Sequence, residues 1–190
     1  DSLAELGQAV FERGARAGAF TLRRTLEAIA GRSRKAGQPP GTLLHIGERR
    51  TDSTSLGVLS FDQESVREEE IETLQPGWEL PATKGTAWYQ VRGLADVAVI
   101  DRLGQLLELH PLLVEDALDT SARPKTDDYA THTFVSMKLV TWDETDDRIE
   151  TETIGIVAGP GFLISFQESA EPVFRNIEER LRQPAARMRS

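Results

Sequence analysis

The chain has no cysteine, only three histidines and no apolar run long enough to cross a bilayer. Each lack closes off a class of function. Without thiols there are no disulfides and no thiolate metal sites, and the redox compartment is left open. His45, His110 and His132 lie far apart, without the His-X-X-X-His spacing that holds zinc. A spanning helix needs about 18 or more consecutive apolar residues, and none is present. Basic residues are also short: 22 Lys and Arg stand against 31 Asp and Glu, a net charge of −9. A nucleic-acid partner needs a basic face, so that class is set aside, while a negative surface suits cations. No Gly-X-Ser-X-Gly turn, P-loop or Gly-X-Gly-X-X-Gly fingerprint occurs, and no spacing selects an acid–base pair from the many carboxylates. We read the chain as a non-enzyme. It starts at Asp1 rather than Met, with no charged-then-apolar leader, as expected of a piece of a longer protein.

What is present suffices for one globular core: 39% of the 190 residues are hydrophobic. Residues 1–36 form a helical arm by expectation, with Leu22, Leu26 and Ile29 at helical spacing and a basic end at Arg32, Arg34 and Lys35. A loosely packed terminal helix and a membrane-touching arm both fit it. Pro39-Pro40-Gly41 reads as a linker, followed by strands over 42–46 and 56–61. Asp62 is expected to open a helix over 65–74 that carries Glu68, Glu69 and Glu70 on a solvated face. A strand over 86–91 precedes a helix over 97–109, where Ile100, Leu103 and Leu107 make the apolar stripe and Asp96 caps the start.

From residue 126 the pattern turns to strands: 126–129, 132–141, 149–158 and 162–167, with hairpin turns at 143–147 and 159–161. The acidic turn at 143–147 lacks the Gly and terminal Glu of a calcium loop. Phe134 and Val140 fall on one pleat face, and Val135, Met137 and Leu139 on the other. Apolar residues on both faces predict a sheet covered on both sides. A helix over 171–182 closes the chain's patterned part. Helices before, between and after such strands make an α/β fold, a three-layer α/β/α sandwich with a mixed parallel/antiparallel sheet.

The stretch with most information is His-Pro-Leu-Leu-Val-Glu-Asp-Ala-Leu-Asp-Thr-Ser-Ala-Arg-Pro-Lys, residues 110–125. His110 caps it, Pro111 sits at a first helical position, and Arg123-Pro124 marks its stop. Glu115 and Asp116 are adjacent, about 100° apart around the helix, so at most one faces a given partner. By spacing alone they fit a solvated helix edge as well as an oxygen-ligand site.

This run resembles the signature of the cytoplasmic domain of the CorA family of magnesium transporters. Further anchors are Pro39-Pro40-Gly41-Thr42-Leu43, Trp88-Tyr89-Gln90-Val91-Arg92-Gly93-Leu94, Tyr129 through Met137-Lys138-Leu139, and Leu163-Ile164-Ser165-Phe166-Gln167-Glu168. They fall in order and assign residues 37–183 to a CorA-like domain, with 184–190 leading toward a stalk helix. The resemblance implies a divalent-cation-sensing domain that gates transport of Mg2+, or of Co2+ or Ni2+, within a homopentamer. Its membrane attachment would come through C-terminal helices beyond Ser190, at the cytoplasmic face of the cell membrane. In the family, the Asp of the Glu-Asp pair binds a regulatory ion between subunits; Asp116 matches that Asp and Glu115 its neighbour. Some members carry a His five residues after that Asp. Here Ser121 occupies that position, so the resemblance does not extend to a His-assisted second site. A soluble interaction domain of the same fold and a zinc-transporting relative are the alternatives.

Overall fold

The computed structural model describes residues 36–71, 74, 78–81, 84–143, 147–183 and 187–189. Its strands are β1 (Ser55–Phe61), β2 (Val66–Ile71), β3 (Thr86–Arg92), β4 (Lys125–Asp128), β5 (Thr133–Asp143), β6 (Arg148–Gly159) and β7 (Phe162–Gln167). They form one seven-stranded sheet in the order β2-β1-β3-β7-β6-β5-β4. Only β3 and β7 run parallel; every other neighbouring pair is antiparallel. That single parallel seam joins a three-stranded half to the β4–β7 meander.

The helices are α1 (Val97–Leu106), α2 (Pro111–Leu118) and α3 (Arg175–Arg182). Asp96 caps α1, its Oδ1 accepting from the N–H groups of Ala98 and Val99 at 3.0 and 3.4 Å. Ile100 and Leu103 of α1 and Leu113, Val114, Ala117 and Leu118 of α2 bury themselves against Val58, Tyr89, Val91, Phe134, Val157, Ile164 and Phe166 of the sheet. On the opposite face, Leu181 and Ile177 of α3, with Phe174, pack on Leu59 and Trp88. The result is the expected α/β/α layering with a mixed sheet, much thicker on the α1–α2 side. Around α3 the smaller core gives way to polar contacts: Gln90 donates to the buried Glu178 at 3.0 Å, and Arg92 lies 3.7 Å from the same carboxylate.

Several expectations need correction. Residues 66–71 form strand β2, not a helix. Asp62 does make a cap-like structure, accepting at Oδ1 from the N–H groups of Glu64 and Ser65 at 2.8 and 2.7 Å. Here, though, Asp62 N–H donates to Ser65 O, and the turn closes the β1–β2 hairpin. The same Asx geometry starts helices and tight turns alike; the free edge of β1 decided the outcome. Glu68, Glu69 and Glu70 stay exposed, as charges on an edge strand that discourage further pairing.

Residues 42–46 make no strand, only an isolated bridge between Ile46 and Asp119. Helix α1 ends before residue 109 because Glu108 takes a left-handed conformation, φ 52°, and Leu109 N–H turns back to Gly104 O at 2.8 Å. Likewise α2 stops at Leu118, ahead of Arg123-Pro124, because Leu118 O accepts from Ile46 N–H at 3.0 Å.

Cover on both faces fails at the far end of the β5–β6 hairpin. Phe134 is fully buried, but Met137, Val140, Trp142 and Ile149 are exposed. The reason is length: of this hairpin, β7 pairs only with residues 154–159 of β6 and β4 only with residues 133–136 of β5, so the rest outruns its neighbours. The arm expected over residues 1–36 lies, Ala36 apart, outside the described residues. Of residues 184–190, only 187–189 are described, as a short 3-10 turn.

Candidate metal site

Helix α2 carries both predicted ligands, and its position is set from both ends. At its start, His110 Nδ1 accepts from Leu112 N–H at 3.2 Å, so the cap uses this nitrogen without a proton. The His110 ring lies against Tyr129, centroids 5.4 Å apart, and Tyr129 stacks on His132 at 5.2 Å. At its end, Thr120 N–H donates back to Ile46 O at 2.9 Å, completing the bridge that holds the 42–46 segment. The buried residues Leu113, Val114, Ala117 and Leu118 leave Leu112, Glu115 and Asp116 on the outer side, the two acids half-buried.

The adjacent carboxylates turn to different partners, as their angular separation requires. Glu115 Oε2 accepts from Gly41 N–H at 2.5 Å. Gly41 has φ +84°, and a Cβ there would sit 3.2 Å from the Pro111 side chain, so glycine suits both the turn and the close approach. Glu115 thus ties the Pro39-Pro40-Gly41 segment onto α2. Asp116 Oδ2 accepts from Lys125 Nζ at 2.6 Å, and Lys125 also lies 2.8 Å from Asp127 Oδ2. Burial opposes the charge on Lys125, but the hydrogen bonds and charges of Asp116 and Asp127 outweigh it and lift its pKa above the ordinary value. Burial and then those two carboxylates also raise the Tyr129 hydroxyl.

Asp116 is therefore a partly exposed carboxylate at the surface of the fold, side chain 28% accessible, held by a lysine. Among the described residues, no three His, Cys, Asp or Glu side chains converge as a metal cage. One carboxylate with most waters retained does fit the coordination habits of Mg2+, so Asp116 can supply one side of a site that another group must complete. Asp119, the C-cap immediately after α2, spends Oδ1 on Ser121 N–H and Oγ at 3.1 and 2.7 Å. Sequence reasoning missed Lys125 and Asp127. Lys125 lies nine residues from Asp116 in another element, so no helical spacing pairs them.

A family profile described as "CorA-like Mg2+ transporter protein" matches residues 83–189, more than half of the chain and including all of α2 and β4. The chain belongs to the CorA-like family. It is also 29% identical over 150 residues to the cobalt/magnesium transport protein CorA of Thermotoga maritima, a match covering 79% of this chain. It spans 42% of that relative's length. Among solved structures, the cytoplasmic domain of ZntB from Vibrio parahaemolyticus superposes with a TM-score of 0.51 at 16% identity, covering 70% of this chain and 52% of that one. The full-length CmaX protein gives 0.51 at 14% identity, covering 73% of this chain and 42% of its own. At such identities these two likenesses establish the CorA-like α/β fold alone. No described helix of this CorA-like chain is long and apolar enough to cross a membrane.

Proposed function

We propose that this is the cytoplasmic, divalent-cation-sensing domain of a CorA-type Mg2+ transporter, with Mg2+, and also Co2+ or Ni2+, as transported ion. In the assembled homopentamer, Asp116 contributes a carboxylate to a regulatory ion shared with a neighbouring copy. What supports the reading is the placement of Asp116. It sits at the family's Glu-Asp position, at the surface, on a helix braced from both ends, with its carboxylate not consumed by the core. Glu115, engaged with Gly41, acts as the brace of the site more than as a ligand.

The chemistry of the mechanism is electrostatic. Carboxylates of neighbouring copies brought together repel, and a divalent ion between them removes the repulsion and favours the closed ring. A ligand shifts such an equilibrium only by its differential affinity for the two states. At ten times its dissociation constant, one ion adds about 1.4 kcal/mol to the form that binds it. High internal Mg2+ then favours closure, and depletion loosens the ring.

The test is protease protection of the full-length transporter across a Mg2+ titration. Protection that rises with Mg2+ in the wild type and is lost in Asp116→Ala is expected. Unchanged protection in Asp116→Ala would leave Asp116 an ordinary surface carboxylate.

A further inference from the structure

The position beside Asp116 is already taken by a cation that belongs to the chain. Lys125 Nζ bridges Asp116 Oδ2 at 2.6 Å and Asp127 Oδ2 at 2.8 Å. We propose that Lys125 is an internal competitor of the divalent ion: metal binding at Asp116 requires its ammonium to leave that carboxylate, and this sets the threshold at which the sensor responds. The inference rests on the reading of Asp116 as an ion ligand.

Three features carry it. The first is placement. Lys125 opens β4 and pairs in register with Ser136, so its backbone is fixed by the ladder while the four-carbon stem remains free to move the head group. Its side chain is 34% accessible, so the ammonium is neither locked in the core nor loose in water. The second is that the displaced head group has somewhere to go. Its contacts are to two separate carboxylates, so it can release Asp116 and keep Asp127. The exchange costs one ion pair, not two, and leaves no buried charge alone.

The third is charge. A monovalent ion brings to Asp116 no more charge than the tethered ammonium it would replace, and the ammonium has the advantage of effective concentration. A divalent ion brings twice the charge. Lys125 therefore raises the concentration of every competing cation needed for binding, and it rejects monovalent ions most completely. In the metal-free state it also screens Asp116 and limits the repulsion between copies.

The experiment is the Mg2+ midpoint of protease protection in the full-length transporter, compared across variants. Lys125→Met removes the ammonium and keeps the stem; the midpoint should fall about two- to fivefold, as expected for loss of one partly exposed competing ion pair. Lys125→Arg, which keeps the charge, should stay near the wild-type midpoint. Asp127→Asn, which leaves the ammonium only Asp116, should raise it. Lys84→Met removes an exposed lysine elsewhere and should change nothing. If Lys125→Met keeps the wild-type midpoint while Asp116→Asn abolishes protection, the competitor is overturned and the ion site stands. An equal shift in Lys84→Met reduces the effect to net charge and also overturns it. If Asp116→Asn itself protects like the wild type, the ion site and the competitor fall together.

Discussion

Trp88 Nε1 donates to Ser165 Oγ at 3.0 Å across the one parallel seam of the sheet, and both residues are buried. The bond joins β3 to β7, where the two antiparallel halves meet. Ser165→Ala leaves the indole N–H without its acceptor in a site closed by Phe174, whose ring meets Trp88 edge-on at 5.4 Å. A buried donor left unpaired costs about 1–3 kcal/mol. Urea denaturation followed by tryptophan fluorescence should show a lowered midpoint with an unchanged slope. A loss well under 1 kcal/mol would mean that water or a shifted neighbour replaces the serine.

Glu115 and Asp116 should differ in what they do for stability. Glu115→Ala takes a charged acceptor from Gly41 N–H and releases the 39–41 turn from α2; a cost of about 1–2 kcal/mol is expected. Asp116→Ala leaves Lys125 its second partner, Asp127, and should cost less than about 1 kcal/mol. Chemical denaturation of the two variants side by side gives the order. The reverse order would make Asp116 the structural residue of the pair.

Acid should weaken the packing at the start of α2. Burial first, and then the nearby His110 ring, hold the His132 imidazole below its ordinary 6.5. The ring stacks on Tyr129 and reaches Thr131 Oγ1 through Nδ1 at 3.0 Å, while among the described residues its buried Nε2 has no hydrogen-bond partner. Folding thus favours the neutral form, so the unfolded chain binds more protons and stability rises with pH in this window. The contribution is fully present above 6.5 and drains away as pH falls from there through the lower folded-state value. His132→Phe, which keeps a ring between Tyr129 and Phe162, should flatten melting temperature against pH over that range. A variant with the same acid slope as the wild type would assign the loss to other groups.

Gly104 should resist replacement. It is buried on α1, and a Cβ built there would lie 2.8 Å from Val114 Cγ2 on α2. Alanine gains up to about 1 kcal/mol of helix preference over glycine, but valine is stiff at χ1 and cannot swing aside cheaply. Gly104→Ala should therefore be net destabilising by about 1–2 kcal/mol in thermal or chemical melts. Pairing it with Val114→Ala should restore the helix gain, and non-additivity in that double-mutant cycle measures the clash.

Much of this fold was legible because its signals are local. Asp96 before an apolar 3.6-residue stripe and Pro111 after His110 located two helix starts. Runs of β-branched and aromatic residues located β3 and the β4–β7 meander. The errors fall where a local signal serves two structures. Asp62 with Glu64 and Ser65 two and three residues on satisfies both a helix cap and a hairpin turn, and only the unpaired edge of β1 distinguishes them. Residues 42–46 have strand composition but meet only the exit of α2, so they bond once and stop. The site divides the same way. The adjacent carboxylates and their helix were readable, whereas Lys125 reaches Asp116 from another element, β4, and brings Asp127 only as its own second partner.

Sequence by itself determined the elements whose hydrogen bonds close within a few residues, the sheet's mixed character, the family, and the identity of Glu115 and Asp116 as the acids to watch. Tertiary structure alone decided what each acid does. Glu115 meets Gly41 across 74 residues of chain, and Asp116 meets an ammonium from another element. The physical reason is range. Helix and turn preferences act through backbone groups a few bonds apart, while a carboxylate's pKa, partner and availability depend on which charges the folded chain brings within about 4 Å.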